Sequence, residues 1–264
     1  TPLQEPNVWY TPVSWATTDR SKVLMSEKKA STSNVPILKS SCMVSPVSNL
    51  TPFTLLDYPD KTACIIWYAG CNMRCLYCYN PEVVLGKGKF SFEQICDFLA
   101  SRVGLLDAVV FSGGECLLHK DIEYHIKTVK EMGFLAKVDT NGSQPEILQK
   151  LLKAQLIDYV ALDFKSKRES FRLITQSDLF DRFEASLKIL INGNYPFEVR
   201  TTYHSELIAK EELSDMIEYL KFNEYTGIYY LQHFRNNTPT LSPLNNSQNN
   251  LKAVNDSKLQ IIIR

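Results

Sequence analysis

AVVFSGGECLLHKDIEYHIKTVKEMGFLAKVDTNGSQPEILQKLLKAQLIDYVALD, residues 108–163, decides the fold. Three β-rich runs, Ala108–Ser112 (AVVFS), Leu135–Asp139 (LAKVD) and Tyr159–Asp163 (YVALD), are separated by two stretches of helical length. Gly133 stands where the first helix should end, and Pro145 suits the first position of the second, running to about Ala154. Strands alternating with helices imply parallel βαβ units with right-handed crossovers.

The same texture continues on both sides. Ala63–Tyr68 (ACIIWY) precedes the stretch, while Phe197–Thr202 (FEVRTT) and Ile228–Gln232 (IYYLQ) follow it, giving six strands. Ser91 with Gln94 reads as a capping box opening a helix to about Arg102. Leu179–Asn192 stops before Gly193, and Lys210–Asn223 carries Leu213, Met216, Ile217 and Leu220 at helical spacing. The expected fold is therefore α/β, an open partial (β/α)6 barrel over residues 51–241. Residues 1–50 hold 22 Ser, Thr, Pro or Asn and read as a flexible, disordered extension. Residues 242–264 read as an Asn-rich tail, with seven Asn between Arg235 and Ser257, and with Lys258–Arg264 returning as a short element.

Charge and composition narrow the function classes. The 29 Lys and Arg balance 29 Asp and Glu, which gives no electrostatic reason to expect nucleic acid or an anionic membrane as partner. No apolar run approaches the roughly 20 residues of a membrane helix. Thr1–Tyr10 lacks the charged and apolar regions of a secretory signal, so reduced thiols and a cytoplasmic location are expected. The chain starts without Met and reads as a fragment. Seven cysteines, Cys42, Cys64, Cys71, Cys75, Cys78, Cys96 and Cys116, cannot all pair as disulfides.

In parallel α/β architectures, chemistry gathers at the C-terminal strand ends, where the loops converge on one face. The first four strands here are followed by a cysteine cluster, by Gly113-Gly114-Glu115, by Thr140-Asn141-Gly142 and by Lys165. The cluster, GCNMRCLYCYNP over Gly70–Pro81, has the spacing C-x3-C-x2-C at Cys71, Cys75 and Cys78. Three thiolates on one loop can grip three corners of a cubane iron–sulfur cluster and leave one iron open. Zinc with a fourth ligand from Cys64, Cys96 or Cys116 is the alternative, although no second C-x2-C pair exists; unrelated buried thiols are the blandest reading.

With Tyr77 as the aromatic before the third cysteine, the sequence resembles the radical S-adenosylmethionine (SAM) enzymes, whose signature is C-x3-C-x-aromatic-C. Gly113-Gly114-Glu115 is similar to their glycine-rich segment that meets the SAM amino group. The resemblance implies that the open iron is chelated by SAM. Reduction of the cluster then releases methionine and a 5′-deoxyadenosyl radical, the protein supplying orientation and exclusion of water. Gly113 and Gly114 suit a backbone that must approach a ligand closely.

Within that family, TLLDYPDK (Thr54–Lys61), CYNPE (Cys78–Glu82), DTNG (Asp139–Gly142), DYVALDFK (Asp158–Lys165) and LQHFR (Leu231–Arg235) resemble the activating proteins of anaerobic ribonucleoside-triphosphate reductase. Pyruvate formate-lyase activating enzyme is similar in several of these places. The resemblance implies a glycyl-radical enzyme as partner, the large subunit of the anaerobic reductase, and a flavodoxin- or ferredoxin-type electron donor. It further implies that Asp139, Thr140 and Asp163 hold a monovalent cation near the SAM carboxylate and that Arg200 lies near SAM. Capping of strand ends by the two aspartates is an equal reading, as is an Arg200–Asp163 pair; Lys165 reads only as a solvated or paired charge.

Two positions depart from the family pattern: Tyr79 stands where His is usual, and Cys116 where Pro is usual. Cys116 reads first as a small apolar filler and second as a redox or ligand group beside SAM. His119, His125, His204 and His233 form no metal constellation by spacing, and only His233 is placed to reach a substrate. A radical SAM enzyme acting on a small molecule or peptide, and a non-catalytic metal-binding protein, are the competing readings.

Overall fold

The computed structural model describes residues 45–248, 251 and 259–264. The expectations for residues 1–44, with Cys42, and for 249, 250 and 252–258 of the tail lie outside the described residues. Among the described residues eight strands form one sheet in chain order: β1 (Val47–Thr54), β2 (Ala63–Tyr68), β3 (Ala108–Gly113), β4 (Leu135–Thr140), β5 (Tyr159–Asp163), β6 (Phe197–Tyr203), β7 (Ile228–His233) and β8 (Gln260–Ile263). Strands β2 to β8 are parallel, β1 runs antiparallel to β2, and the two ends of the sheet do not pair. The result is the expected open partial barrel, with an extra strand on each edge.

Strand β1 lies partly inside the stretch read as extension. Its Ser, Asn and Pro content hides it, and Pro52 is tolerated because an edge strand has donors to spare. Trp67 Nε1 donates to Thr51 Oγ1 at 2.9 Å and ties the edge to β2. The returning element at the C-terminus is β8, which extends the sheet beyond β7.

Among the described residues seven α-helices cover the outside: α1 (Pro81–Leu85), α2 (Phe92–Ala100), α3 (Ile122–Glu131), α4 (Pro145–Lys153), α5 (Arg168–Thr175), α6 (Phe180–Asn192) and α7 (Lys210–Phe222). The capping box at α2 is formed: Ser91 Oγ accepts from Gln94 N at 3.4 Å, and Ser91 N donates to Gln94 Oε1 at 2.9 Å. Pro145 opens α4 as expected. Helices α1 and α5 escape the periodicity reading because each is eight residues or shorter.

Strand alternation partitions the interior. Cys64, Ile66, Tyr68, Val109, Phe111, Ala136, Val138, Val160 and Leu162 point outward into the main core under the helices. Ala63, Ile65, Ala108 and Val110 point inward and close the base of the barrel together with Tyr58, flanked by Trp67, Leu135 and Tyr159. Above that apolar plug the inward positions become charged: Lys137, Asp139, Asp163, Glu198 and Arg200.

Candidate active site at the barrel mouth

The cysteine loop leaves the C-terminal end of β2 and is fixed by backbone hydrogen bonds. Gly70 N donates to Val83 O at 2.8 Å, Arg74 N to Thr175 O at 2.8 Å, and Leu76 N to Ile174 O at 3.0 Å, so α1 and the end of α5 set its shape. Met73, Cys75 and Tyr77 are buried, while Cys71 and Cys78 are half-buried. Burial pushes the Cys71 thiol up and the Cys75 thiol to about 12, partly opposed at each by the Lys165 ammonium. Cys71 and Cys75 are therefore protonated in the bare loop, and metal loading must displace those protons.

The donor set fits an iron–sulfur cluster. Three thiols lie close enough to influence one another electrostatically, and Cys71 Sγ accepts N–H bonds from Met73 N at 3.4 Å and Asn141 Nδ2 at 3.8 Å. Such bonds stabilise cluster-bound sulfur. Among the described residues no group of three His, Cys, Asp or Glu side chains could hold a single metal ion; the corners of a cubane space its thiolates more widely.

Gly113 and Gly114 serve close packing of the protein on itself. A Cβ on Gly113 (φ +122°) would meet Tyr68 N and O at 2.3 Å, and one on Gly114 would meet Gly70 O at 2.0 Å. The glycines thus press the β3 turn against the start of the cysteine loop. Glu115 is fully buried, and both its oxygens are engaged: Oε1 accepts from Thr140 Oγ1 (2.9 Å) and Leu117 N (3.2 Å), and Oε2 from Asn141 N (2.7 Å). Burial pushes its pKa up to about 7 against the pull of these donors. Its carboxylate is a brace between loops.

Below the loops lies a ladder of charge. Asp139 Oδ1 meets Lys137 Nζ at 2.6 Å, and its Oδ2 accepts from Ser112 Oγ (3.2 Å) and Arg200 (3.4 Å). Asp163 Oδ1 accepts from Arg200 Nε and Oδ2 from Lys165 Nζ, both at 3.1 Å. Burial works to raise both carboxyl pKa values, but the cations, Arg200 and Lys137 at Asp139 and Lys165 and Arg200 at Asp163, outweigh it and hold them below the usual range. Lys165 also lies 5.8 Å from the centre of the Tyr77 ring, whose buried hydroxyl has no hydrogen-bond partner among the described residues.

The expected monovalent cation does not fit. All four carboxylate oxygens of Asp139 and Asp163 already face an ammonium, a guanidinium or a hydroxyl donor, and the Thr140 hydroxyl donates to Glu115 while accepting from Gly142 N. The expected Arg200–Asp163 pair is present, and Lys165 is paired.

Cys116 is buried, with its sulfur bonded to Phe111 O at 3.5 Å and Asp139 O at 3.6 Å, which fits the filler reading. Tyr79 stacks on Phe234 with ring centres 5.3 Å apart and accepts from Arg235 N at 2.6 Å, so its hydroxyl ties down the segment after β7. That segment crosses the cysteine loop: Leu241 N donates to Cys78 O at 3.0 Å and Ser242 N to Leu76 O at 3.2 Å. The four histidines form no single site, although His119 and His125 both pack against the Tyr68 ring. His119 bonds Ala69 O, His125 bonds Tyr68 and is pushed down to about 4 chiefly by burial, and His204 bonds Asn245 O. His233 Nδ1 is buried without a hydrogen-bond partner among the described residues. Sequence reasoning passed over Lys137 and Ser112, and it noted Asn141 only as part of the strand-end Thr140-Asn141-Gly142; alternation along β4 alone puts Lys137 on the same face as Asp139.

Comparison with known proteins agrees with this geometry. The model of the radical SAM superfamily matches residues 65–223. A Methanocaldococcus jannaschii protein, provisionally named a glycyl-radical enzyme activating enzyme, is 33% identical over 202 residues, covering 73% of this chain and 81% of that protein. Pyruvate formate-lyase-activating enzyme of Clostridium pasteurianum is 32% identical over 126 residues, 45% of this chain and 52% of that enzyme. The crystal structure of Streptococcus suis SuiB bound to S-adenosylmethionine shares the fold at TM-score 0.57 and 13% identity, covering 76% of this chain and 51% of that one. Against the last two, the chain spans about half the length of the protein it matches. Strand-end cysteines in this spacing, on an open parallel barrel matched by the family model over most of its length, place the chain in the radical SAM superfamily, whose cofactors are a [4Fe–4S] cluster and SAM.

Proposed function

We propose that this chain activates a glycyl-radical enzyme, and that its partner is the large subunit of an anaerobic ribonucleoside-triphosphate reductase. The observation that carries the reading is the 33% identity, over most of both chains, to the provisionally named activating enzyme. The motifs shared with reductase activators supply the choice of partner, and a flavodoxin- or ferredoxin-type protein is the proposed electron donor.

In this reading Cys71, Cys75 and Cys78 hold the cluster, and SAM sits at the mouth beside Tyr77, the Gly113–Gly114 turn, Asp139, Asp163 and Arg200. Bound together, cluster and SAM supply a 5′-deoxyadenosyl radical that takes hydrogen from a glycine Cα. The chain's own residues prepare that site. Glu115 locks the β3 turn to the β4 loop, and Asn141 bonds Asn72 Oδ1 at 3.1 Å, clamping the cysteine loop to the same point. The segment from Arg235 to Ser242 is hydrogen-bonded to Leu76, Cys78 and Tyr79 and holds the end of the cysteine loop in place. A partner loop then has to enter through the mouth, which an open barrel permits.

The test is anaerobic. Reconstituted, reduced protein mixed with the candidate reductase and SAM is expected to produce the glycyl-radical doublet in electron paramagnetic resonance. SAM cleavage without the doublet refutes this choice of partner.

A further inference from the structure

The charge ladder in the lumen is complete without any added ion. Lys137, Lys165 and Arg200 face Asp139, Asp163 and Glu198, with Arg200 4.0 Å from Glu198 as well, and Arg264 adds a fourth cation 3.9 Å from Glu198. Lys137 is the unusual member. It is 1% exposed, sits in the middle of a strand, and its ammonium makes a 2.6 Å contact with Asp139. Two residues of strand rise about 6.6 Å, close to the reach of an extended lysine side chain, so the ammonium reaches Asp139 from the same strand. A further cation entering here would find every oxygen of Asp139 and Asp163 taken, and its charge would go unbalanced in a low-dielectric interior.

We infer that Lys137 is a built-in counter-ion: its ammonium supplies at Asp139 the positive charge a free monovalent cation would bring, so this chain binds SAM without needing Na+ or K+. Lys137 is thus a positioning residue, acting on SAM through Asp139.

Two measurements on the cluster-loaded wild-type protein test this. Thallium-205 resonance, with Tl+ standing in for K+, is expected to show no saturable site. Calorimetric SAM affinity is expected to agree within about twofold between potassium and tetramethylammonium buffers of equal ionic strength. One Tl+ held per chain and displaced by K+, or a tenfold weaker SAM affinity in tetramethylammonium, overturns the inference. Lys137→Met removes the ammonium at similar volume. The folded variant is expected to lose at least tenfold in SAM affinity in tetramethylammonium and to recover it in K+; equal affinity in the two salts also overturns the proposal. If the variant fails to fold, the wild-type measurements still decide.

Discussion

Gly114→Ala is the sharpest probe of how the site is assembled. The new Cβ would lie 2.0 Å from the carbonyl oxygen of Gly70 and 3.0 Å from Cys71 Cβ, so the two turns must separate by about 1 Å before the contact becomes tolerable. Both sides are tied: Gly114 N donates to Tyr68 O at 3.0 Å and Glu115 N to Gly70 O at 2.9 Å, so separation stretches at least one backbone bond. Gly114 has no left-handed φ, and the effect is therefore steric. Overpacking costs about 1–3 kcal/mol and a weakened buried hydrogen bond about 1 more, giving roughly 2–4 kcal/mol. For a domain of this size the loss lowers Tm by roughly 5–15 °C. Because the displaced atoms adjoin Cys71, iron content after anaerobic reconstitution should fall along with Tm. A variant with wild-type Tm and full iron loading would refute the claim that these turns are pressed together.

Ala at Cys71, Cys75 or Cys78 should abolish iron loading while leaving the far-ultraviolet circular dichroism of the apoprotein unchanged; normal iron in any of the three shows the ligands are misassigned. Glu115 gives a pH signature. Its folded pKa, about 7, lies above the ordinary 4.5, so its contribution to stability is fully present below about 4.5 and is lost as pH rises through 7. Relative to Glu115→Gln, wild-type apoprotein should lose roughly 3 kcal/mol between those limits in urea unfolding, and a pH-independent difference would show that the carboxyl stays ionised throughout. Tyr79→Phe keeps the stacking on Phe234 but loses the bond from Arg235 N. Faster amide exchange over residues 235–242 with unchanged iron content is expected, and unaltered exchange would mean the hydroxyl does not hold that segment.

The parts of the fold legible in sequence were those whose signals are local. The alternation of strands and helices, the Ser91 capping box and the proline at the start of α4 each depend on a few neighbouring residues, and each is where it was read. Strand β1 was obscured because an edge strand is under little pressure to be apolar, and its pairing with β2 spans a loop. Helices α1 and α5 are too short for a period to register.

The sequence by itself determined the barrel, its parallel order and the loop that carries Cys71, Cys75 and Cys78, because periodicity and cysteine spacing are written in contiguous residues. Tertiary structure alone decided what the neighbouring polar groups do. Glu115 turned inward as a brace, Cys116 became a filler, and Asp139 and Asp163 acquired Lys137, Arg200 and Lys165 as partners. Those assignments depend on which residues from β3, β4, β5 and β6 meet across the lumen. A buried charge takes its meaning from its partners: Lys137 and Lys165 stand two residues from the aspartates they pair with, whereas Arg200 reaches both aspartates from β6 and only the folded sheet brings it there.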